Sequence, residues 1–186
     1  MKKVVLVPHN KKFAEAISSL SSEPPVRNAL SLTESQTSIE GTLEFIEFVQ
    51  EQEQLGKQYS RVIFNEDGDL IGIITLKDIN MEEKTCNIGT WIGHRYWGKG
   101  YNESAKSQIL HTAFTELDLE YVFVAVKLSN IRSRKALEKL PYIRTDVQEE
   151  FPEEYKKLEP QINAPFMLHV IEKSAFLEWY SENTEE

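Results

Sequence analysis

Residues 95–102 read Arg-Tyr-Trp-Gly-Lys-Gly-Tyr-Asn and place two glycines beside two basic side chains. Gly98 and Gly100 lack the Cβ atoms that would keep an anion away from the main chain. The first N–H groups of a following helix have no partner within that helix, and together with the helix dipole they attract phosphate groups. The spacing R-x-x-G-x-G therefore predicts a backbone cradle for a phosphate or pyrophosphate.

Two better-known phosphate-binding turns have other spacings. A P-loop requires G-x-x-x-x-G-K-S/T, and a dinucleotide-binding turn requires G-x-G-x-x-G followed by an acidic residue about twenty positions later. Neither pattern occurs at this position in the sequence. A plain glycine turn between a strand and a helix is the remaining alternative, and the spacing alone leaves it open.

The elements around the turn can be assigned from their periodicity. The preceding TCNIGTWIG alternates like a strand, and an apolar stripe predicts a helix from about Tyr101 to Glu116. The next run, YVFVAVK, is almost continuously apolar, which is typical of a strand buried on both faces and paired in parallel. The turn therefore joins the strand and the helix of a crossover unit.

The remaining segments fit a mixed α/β chain. The opening MKKVVLVP predicts a first strand, Asn10 can cap a helix that Pro24-Pro25 stops, and a second helix starts near Ser38. Two strands flank the acidic turn of residues 66–69. Asn130 can cap a helix that ends by Pro141, FPEEYKKLEP predicts a short helix or a loop, and FMLHVIE predicts a last strand.

Composition limits the classes of function. The chain has 186 residues, of which 40% are hydrophobic, and we expect one domain over residues 1–186. A formal net charge of −9 argues against nucleic acid and anionic membranes as partners and fits a cationic one. In particular, the acidic stretches EDGD and MEE predict a preference for cationic amines.

Cysteine and histidine usage gives no sign of a metal site or a disulfide. Cys86 is the only cysteine, so an intramolecular disulfide is excluded and a reducing, cytoplasmic compartment is expected. His94, His111 and His169 lack the spacing of metal ligands. The apolar run at the start is too short for a signal peptide or a membrane span.

The run from Ile74 to Leu140 resembles the GNAT superfamily of N-acetyltransferases, in the branch that includes the ribosomal-protein alanine N-acetyltransferases. The likeness rests on the IGTWIG strand, the R-x-x-G-x-G turn extended to GKGY, the AFTELDLEYV join, and Asn130-x-x-Ser133 followed by Leu-Glu-Lys. It implies a mixed, mostly antiparallel central sheet with a splayed parallel strand pair and flanking helices. Residues 85–142 would form the acetyl-CoA-binding core.

The resemblance also implies a co-substrate and the residues that hold it. Acetyl-CoA would place its pyrophosphate on the N–H groups from Trp97 to Asn102 and its pantetheine arm along the strand that holds Trp91 and Ile92. No metal is implied. The expected cofactor-binding residues are Trp91, Ile92, Arg95, Trp97, Gly98, Lys99, Gly100, Tyr101, Asn102, Asn130 and Ser133.

The reaction implied by the resemblance is direct transfer of an acetyl group to a primary amine, either of a small molecule or of a protein N-terminus. A backbone N–H near Ile92 would stabilise the oxyanion, and Ser133 would lie beside the departing thiolate as a catalytic residue. Alternatively, a serine at the third helical position can serve only as a hydrogen-bond partner of backbone groups at the helix end. The sequence does not decide whether the protein forms a homodimer.

Two positions depart from the pattern of the resembled branch. Asn87 stands where relatives often carry a glutamate, and an amide cannot take a proton. Glu66, Asp78, Glu82, Glu83 or a water chain could serve as the base instead. Pro141 stands where relatives have a glycine. Asn87 favours the alternative of a non-catalytic acyl-CoA-binding or regulatory protein.

Overall fold

The computed structural model describes residues 2–184, which form seven strands and eight α-helices. The strands are β1 (Val4–Pro8), β2 (Tyr59–Asn65), β3 (Leu70–Asn80), β4 (Thr85–Ile92), β5 (Tyr121–Lys127), β6 (Ile143–Arg144) and β7 (Phe166–Glu172). The helices are α1 (Ala14–Ser21), α2 (Pro24–Leu30), α3 (Glu34–Thr37), α4 (Ile39–Gln54), α5 (Tyr101–Thr115), α6 (Ile131–Glu138), α7 (Pro152–Ile162) and α8 (Lys173–Asn183).

The seven strands form a mixed sheet in the order β1-β2-β3-β4-β5-β7-β6. The pairs β1–β2, β2–β3, β5–β7 and β6–β7 are antiparallel, whereas β4 and β5 run parallel. The parallel register holds only three residue pairs, residues 85–87 with residues 121–123. The predicted fold class, a mostly antiparallel sheet with one parallel pair and flanking helices, is therefore confirmed.

The chain divides into two compact units. The first consists of the described residues of Met1–Ile79 and Gly89–Ile109. Its hydrophobic cluster joins α1 and α4 to the face of β2 and β3 through Ile17, Ile46, Val62 and Ile73, which are all buried. Trp91, near the end of β4, packs against the same cluster, so these helices support the strand end where the glycine turn begins.

The second unit consists of the described residues of Asn80–Ile88 and Leu110–Glu186. In its hydrophobic cluster Phe123 of β5 and Leu168 of β7 pack with Leu158 of α7. Phe151 and Tyr155 add aromatic contacts, with ring centroids 5.0 Å apart for Phe123 and Phe151 and 4.4 Å apart for Tyr155 and Phe166. This packing fixes α7 on its strands.

The prediction for the segment between Pro24 and Ser38 was incomplete. The first helix ends at Ser21, and Pro24 and Pro25 then begin α2. Proline is well tolerated in the first turn of a helix because the N–H that it lacks would have no partner there. Thr33 and Gln36 form a capping box that starts α3, so the predicted pair of helices is a set of four.

Candidate functional site

The glycine turn lies in the first unit, between the end of β4 and the start of α5. Gly98 and Gly100 have φ of +72° and +85°, a region that side chains with a Cβ rarely adopt. A Cβ added at Gly98 would meet no atom within 4 Å, and one at Gly100 would meet only the Lys2 side chain, at 3.8 Å. The space beside both glycines is therefore open to an incoming group.

Trp97 holds this turn against the end of the strand. Its indole Nε1–H donates to the carbonyl of Ile92 at 2.7 Å, and its backbone N–H donates to the carbonyl of His94 at 3.1 Å. The His94 ring contacts the indole edge-on, with centroids 4.8 Å apart. Trp97 therefore fixes the turn with its own N–H groups, and the donors left for an anion begin at Gly98.

The tyrosines of the turn are part of the core. Tyr96 and Tyr101 are 7% and 6% exposed and meet edge to face, with centroids 6.2 Å apart. A hydrogen bond to Glu66 raises the pKa of Tyr101 above its ordinary value. Arg95 donates to the Tyr96 hydroxyl at 2.6 Å. The side chain of Tyr101 is thus engaged, and its contribution to an anion site would be its backbone N–H.

Lys106 is a buried charge that sequence reasoning missed. It is 8% exposed, and its Nζ donates to the Oδ1 of Asn102 at 2.5 Å. Burial lowers its pKa to about 8. Ser104, also buried, has a hydroxyl without a hydrogen-bond partner among residues 2–184. The i, i+4 spacing of Asn102 and Lys106 is the only sequence signal for this pair.

A pocket of about 650 Å³ opens in the first unit between α1–α4 and the strands β3 and β4. Phe45, Phe48 and Trp91 give its lining an aromatic character, and serine, threonine and glutamine side chains complete it. Its charged groups are Glu44 and Lys77. Neither of the acidic stretches EDGD and MEE contributes to the lining, so the charges expected to attract a cationic amine lie elsewhere.

In the second unit, Asn130 and Ser133 lie where the sequence predicted them. The Oδ1 of Asn130 accepts a hydrogen bond from the Ser133 N–H at 3.2 Å and caps α6. The half-buried Ser133 makes no side-chain hydrogen bond with any residue that the structure describes. Its hydroxyl therefore does not serve the helix end, which is the role that Asn130 fills.

The carboxylates proposed as bases are dispersed. The pKa of Glu66 is lowered by a backbone hydrogen bond and by Tyr101, and Asp78 has φ of +51° and one buried oxygen without a partner in the described chain. Glu82 and Glu83 are exposed in the turn before β4. None of the four lines the pocket of the first unit.

Asn87, at the position where a glutamate was expected from the resemblance, has a carboxylate partner from a distant segment. Its Nδ2 donates to the Oε1 of Glu154 at 2.9 Å, and both residues belong to the second unit.

Within residues 2–184, no group of three histidine, cysteine or acidic side chains could hold a metal ion. In the same range, no helix has the length and apolar character needed to cross a membrane.

The acetyltransferase (GNAT) domain family matches residues 3–142, which is most of the chain. The chain is a member of the GNAT acetyltransferase family. The glycine turn, β4, β5 and the Asn130 cap all fall within the matched range.

Named relatives of this GNAT chain match it over shorter stretches. YdaF of Bacillus subtilis (strain 168), named as a candidate ribosomal N-acetyltransferase, is 31% identical over 77 residues. That stretch covers 41% of this chain and 42% of YdaF. An uncharacterized N-acetyltransferase, p20 of Bacillus licheniformis, is 30% identical over 81 residues, which cover 44% of this chain and 46% of p20. The chain thus matches less than half the length of both relatives.

Solved GNAT structures share the fold over nearly the whole chain. FdhC, a nucleotide-linked sugar GNAT, superposes with a TM-score of 0.77 at 18% identity and covers 97% of this chain and 93% of its own. The spermidine N-acetyltransferase of Vibrio cholerae, solved with CoA and spermine, has a TM-score of 0.72 at 16% identity. The superposition with this spermidine N-acetyltransferase covers 94% of this chain and 98% of the other.

The predicted site residues of this GNAT chain divide between the units. Those of the first unit lie along β4, the turn and the start of α5: Trp91, Ile92, Arg95, Trp97, Gly98, Lys99, Gly100, Tyr101 and Asn102. Asn130 and Ser133 belong to the second unit. Their binding and catalytic roles remain predictions.

Proposed function

We propose that this chain is an acetyl-CoA-dependent N-acetyltransferase that moves the acetyl group directly to a primary amine. The observation that carries the proposal is the turn of Gly98 and Gly100, with two positive φ angles and open space, at the start of the 15-residue helix α5 of a GNAT family member. Such a turn suits a pyrophosphate because backbone donors and the helix dipole act together.

The residues that would hold acetyl-CoA follow from this turn. We assign the pyrophosphate to the N–H groups of Gly98, Lys99, Gly100, Tyr101 and Asn102. Arg95 and Lys99 are exposed and can neutralise phosphate charge. For Trp97 we propose a positioning role, because both of its N–H groups already donate within the chain.

Ser133 is our proposed group beside the departing sulfur, together with Asn130, which fixes its position at the start of α6. The hydroxyl has no hydrogen bond to a described residue, so it is available to a ligand. A hydroxyl can donate a hydrogen bond to a thiolate as the negative charge develops there, which lowers the barrier to C–S cleavage.

For the apolar substituent of the acceptor we propose the pocket of the first unit. Its volume of about 650 Å³ is in the range of small-molecule sites. Phe45, Phe48 and Trp91 suit an apolar or aromatic group attached to the amine. Glu44 and Lys77 balance each other in charge, so the pocket selects mainly by apolar contact rather than by a field of one sign.

This lining favours one acceptor class over another. The Vibrio cholerae neighbour is a spermidine acetyltransferase, and YdaF is named for ribosomal substrates. A polyamine carries several ammonium groups, and a pocket with Glu44 as its single carboxylate can pair only one of them. We therefore propose an amine with an apolar substituent, such as an aryl-alkylamine or a peptide N-terminus with an apolar second residue.

The competing function is acyl-CoA binding without transfer, which Asn87 favours because an amide cannot accept the amine proton. A transfer assay separates the two. Purified chain is incubated with acetyl-CoA and phenethylamine, the tripeptide Ala-Phe-Gly or spermidine, and released CoA thiol is measured. We expect phenethylamine or the tripeptide to be acetylated with a higher kcat/KM than spermidine. Binding of acetyl-CoA with no turnover of any of the three amines would favour the non-catalytic protein.

A further inference from the structure

Glu154 is an unusual carboxylate in this molecule. It is 9% exposed, and it is the only aspartate or glutamate among the buried residues of the described chain. Its Oε1 accepts from the Nδ2 of Asn87 at 2.9 Å, and its Oε2 lies 3.0 Å from the Nζ of Lys157. A carboxylate held inside a protein requires such partners, because an unpaired buried charge is strongly unfavourable.

Asn87 adds an independent sign that a ligand belongs here. It is 3% exposed, and its Oδ1 is buried without a hydrogen-bond partner in residues 2–184. The bond from Nδ2 to Glu154 fixes the orientation of the amide, so the unpartnered atom is an acceptor. A buried acceptor without a donor is unfavourable, because the atom has lost its hydrogen bonds to water. A ligand ammonium group is a donor that would satisfy it.

The backbone around Asn87 also suits a ligand. Asn87 and Phe123 form the last residue pair in the parallel register of β4 and β5. β4 continues beyond this pair to Ile92, and β5 continues to Lys127. The Asn87–Glu154 pair therefore lies where the parallel ladder stops and backbone polar groups need other partners.

The position of Glu154 is fixed by its helix. Pro152 occupies the first turn of α7, and Glu153 and Glu154 follow in that turn, where the helix dipole stabilises negative charge. Leu158, one turn later on the same face, is buried in the cluster with Phe123 and Phe166. The neighbouring Glu153 is exposed, which makes it a matched control.

We propose that Glu154 is the catalytic base of the transferase proposed above, an inference that rests on that function. The ammonium group of the acceptor donates to the Oδ1 of Asn87 and to the carboxylate of Glu154. Glu154 takes one proton, which leaves a neutral amine with a free electron pair. Lys157 and Asn87 are the charged and polar groups that contact this carboxylate.

The atoms of the step balance. The electron pair of the amine forms the C–N bond to the acetyl carbon, and the C–S bond breaks with its electrons going to sulfur. The second proton of the amine reaches the thiolate, and the proton on Glu154 leaves to solvent. The sum is R–NH3⁺ plus acetyl-CoA giving R–NH–acetyl, CoA thiol and one proton.

The first test compares Glu154→Gln with Glu153→Gln, using the fastest of the three amines named above. At pH 7 we expect Glu154→Gln to lower kcat/KM by roughly a hundred- to ten-thousandfold, the range of a lost acid–base group, with acetyl-CoA affinity unchanged. The difference in kcat/KM between Glu154→Gln and the parent should become smaller toward pH 10, because an amine that is already deprotonated needs no base. Glu153→Gln should match the parent at every pH.

A charge swap separates chemistry from structure. Asn87→Asp with Glu154→Gln moves the carboxylate from the helix to the strand and keeps both side-chain shapes and their hydrogen bond. We expect the double variant to recover at least tenfold in kcat/KM over Glu154→Gln alone. If Glu154 only holds α7 against β4, Glu154→Gln and the double variant will both have the same lowered kcat/KM, relative to the parent, at every pH.

The outcomes distinguish this inference from the proposed function. A parent that acetylates an amine, with a Glu154→Gln variant that keeps more than half of its kcat/KM, removes Glu154 from the mechanism and leaves the transferase intact. A pH-independent deficit without recovery in the swap also contradicts a base. A parent that acetylates none of the three amines overturns the transferase and the base together.

Discussion

The two units of the molecule carry different kinds of polar groups. In the first unit, the groups that we assign to acetyl-CoA belong to the backbone: Gly98 and Gly100 expose the main chain at the start of α5, and Trp97 holds the turn in place. In the second unit, the groups that we assign to the reaction are side chains: the hydroxyl of Ser133 and the Asn87–Glu154 pair. Backbone donors suit the binding of a constant group such as a pyrophosphate, whereas side chains that exchange protons suit chemistry.

This difference predicts how substitutions should behave. Changes in the second unit should lower kcat and leave the Kd for acetyl-CoA nearly unchanged, and changes in the glycine turn of the first unit should raise that Kd. A second-unit variant that raises the Kd for acetyl-CoA with kcat unchanged, or a glycine-turn variant that lowers only kcat, would contradict this division between binding and chemistry.

After Glu154→Gln, Ser133→Ala has the largest expected effect in this comparison. Removal of the hydroxyl should lower kcat by roughly ten- to a thousandfold with little change in the Kd for acetyl-CoA, because the lost hydrogen bond forms only as the thiolate develops. Steady-state kinetics with phenethylamine and calorimetry measure the two quantities. Ser129→Ala, at an exposed serine before the same helix, is the control. An unchanged kcat would exclude Ser133 from the reaction.

Gly98→Ala should act on binding instead. A Cβ at Gly98 enters the open space that we assign to the pyrophosphate, so the Kd for acetyl-CoA should rise about tenfold, equivalent to about 1.4 kcal/mol. Gly56 has a nearly identical φ of +71° and equally open surroundings, so Gly56→Ala carries the same backbone strain of about 1–2 kcal/mol away from the turn. Equal affinities for the two variants would show that the glycine turn is only structural.

Lys106→Met should change stability, and the change depends on pH. The pKa of Lys106 is lowered to about 8 from 10.5, so between these values the unfolded chain holds more protons than the folded one. The stability of the parent should therefore rise with pH across this window, and at pH 7 Lys106→Met should be more stable by up to about 3 kcal/mol. Urea denaturation at pH 7 and pH 10 measures this, with the exposed Lys156→Met as the control. A pH-independent difference would mean that Lys106 is not desolvated.

The features that sequence predicted well are local. The strand, the R-x-x-G-x-G turn and the helix after it follow from periodicity and from glycine conformation within about thirty residues. Asn130 as a helix cap is equally local, because a cap bonds an N–H three residues later. The sequence could therefore place both of these features, and its resemblance to the GNAT superfamily supplied the fold class.

The features that sequence missed depend on distant or ambiguous signals. Glu154 meets Asn87 across 67 positions, and no periodicity links them. Lys106 lies on a helix face that its charge alone would assign to solvent. Pro24 and Pro25 can end one helix or begin another, and in this chain they begin α2. The contact of Glu154 and the burial of Lys106 depend on tertiary packing, which local sequence patterns do not encode.

A calorimetric titration of the full chain tests the central claim most directly. Acetyl-CoA is compared with acetylpantetheine, which carries the same thioester arm without the pyrophosphate and the nucleotide. We expect acetyl-CoA to bind with one-to-one stoichiometry and at least tenfold more tightly, a difference of about 1.4 kcal/mol or more that backbone donors at a helix start can supply. Equal affinity for the two compounds, or no binding of acetyl-CoA, would contradict the assignment of the glycine turn as a pyrophosphate cradle.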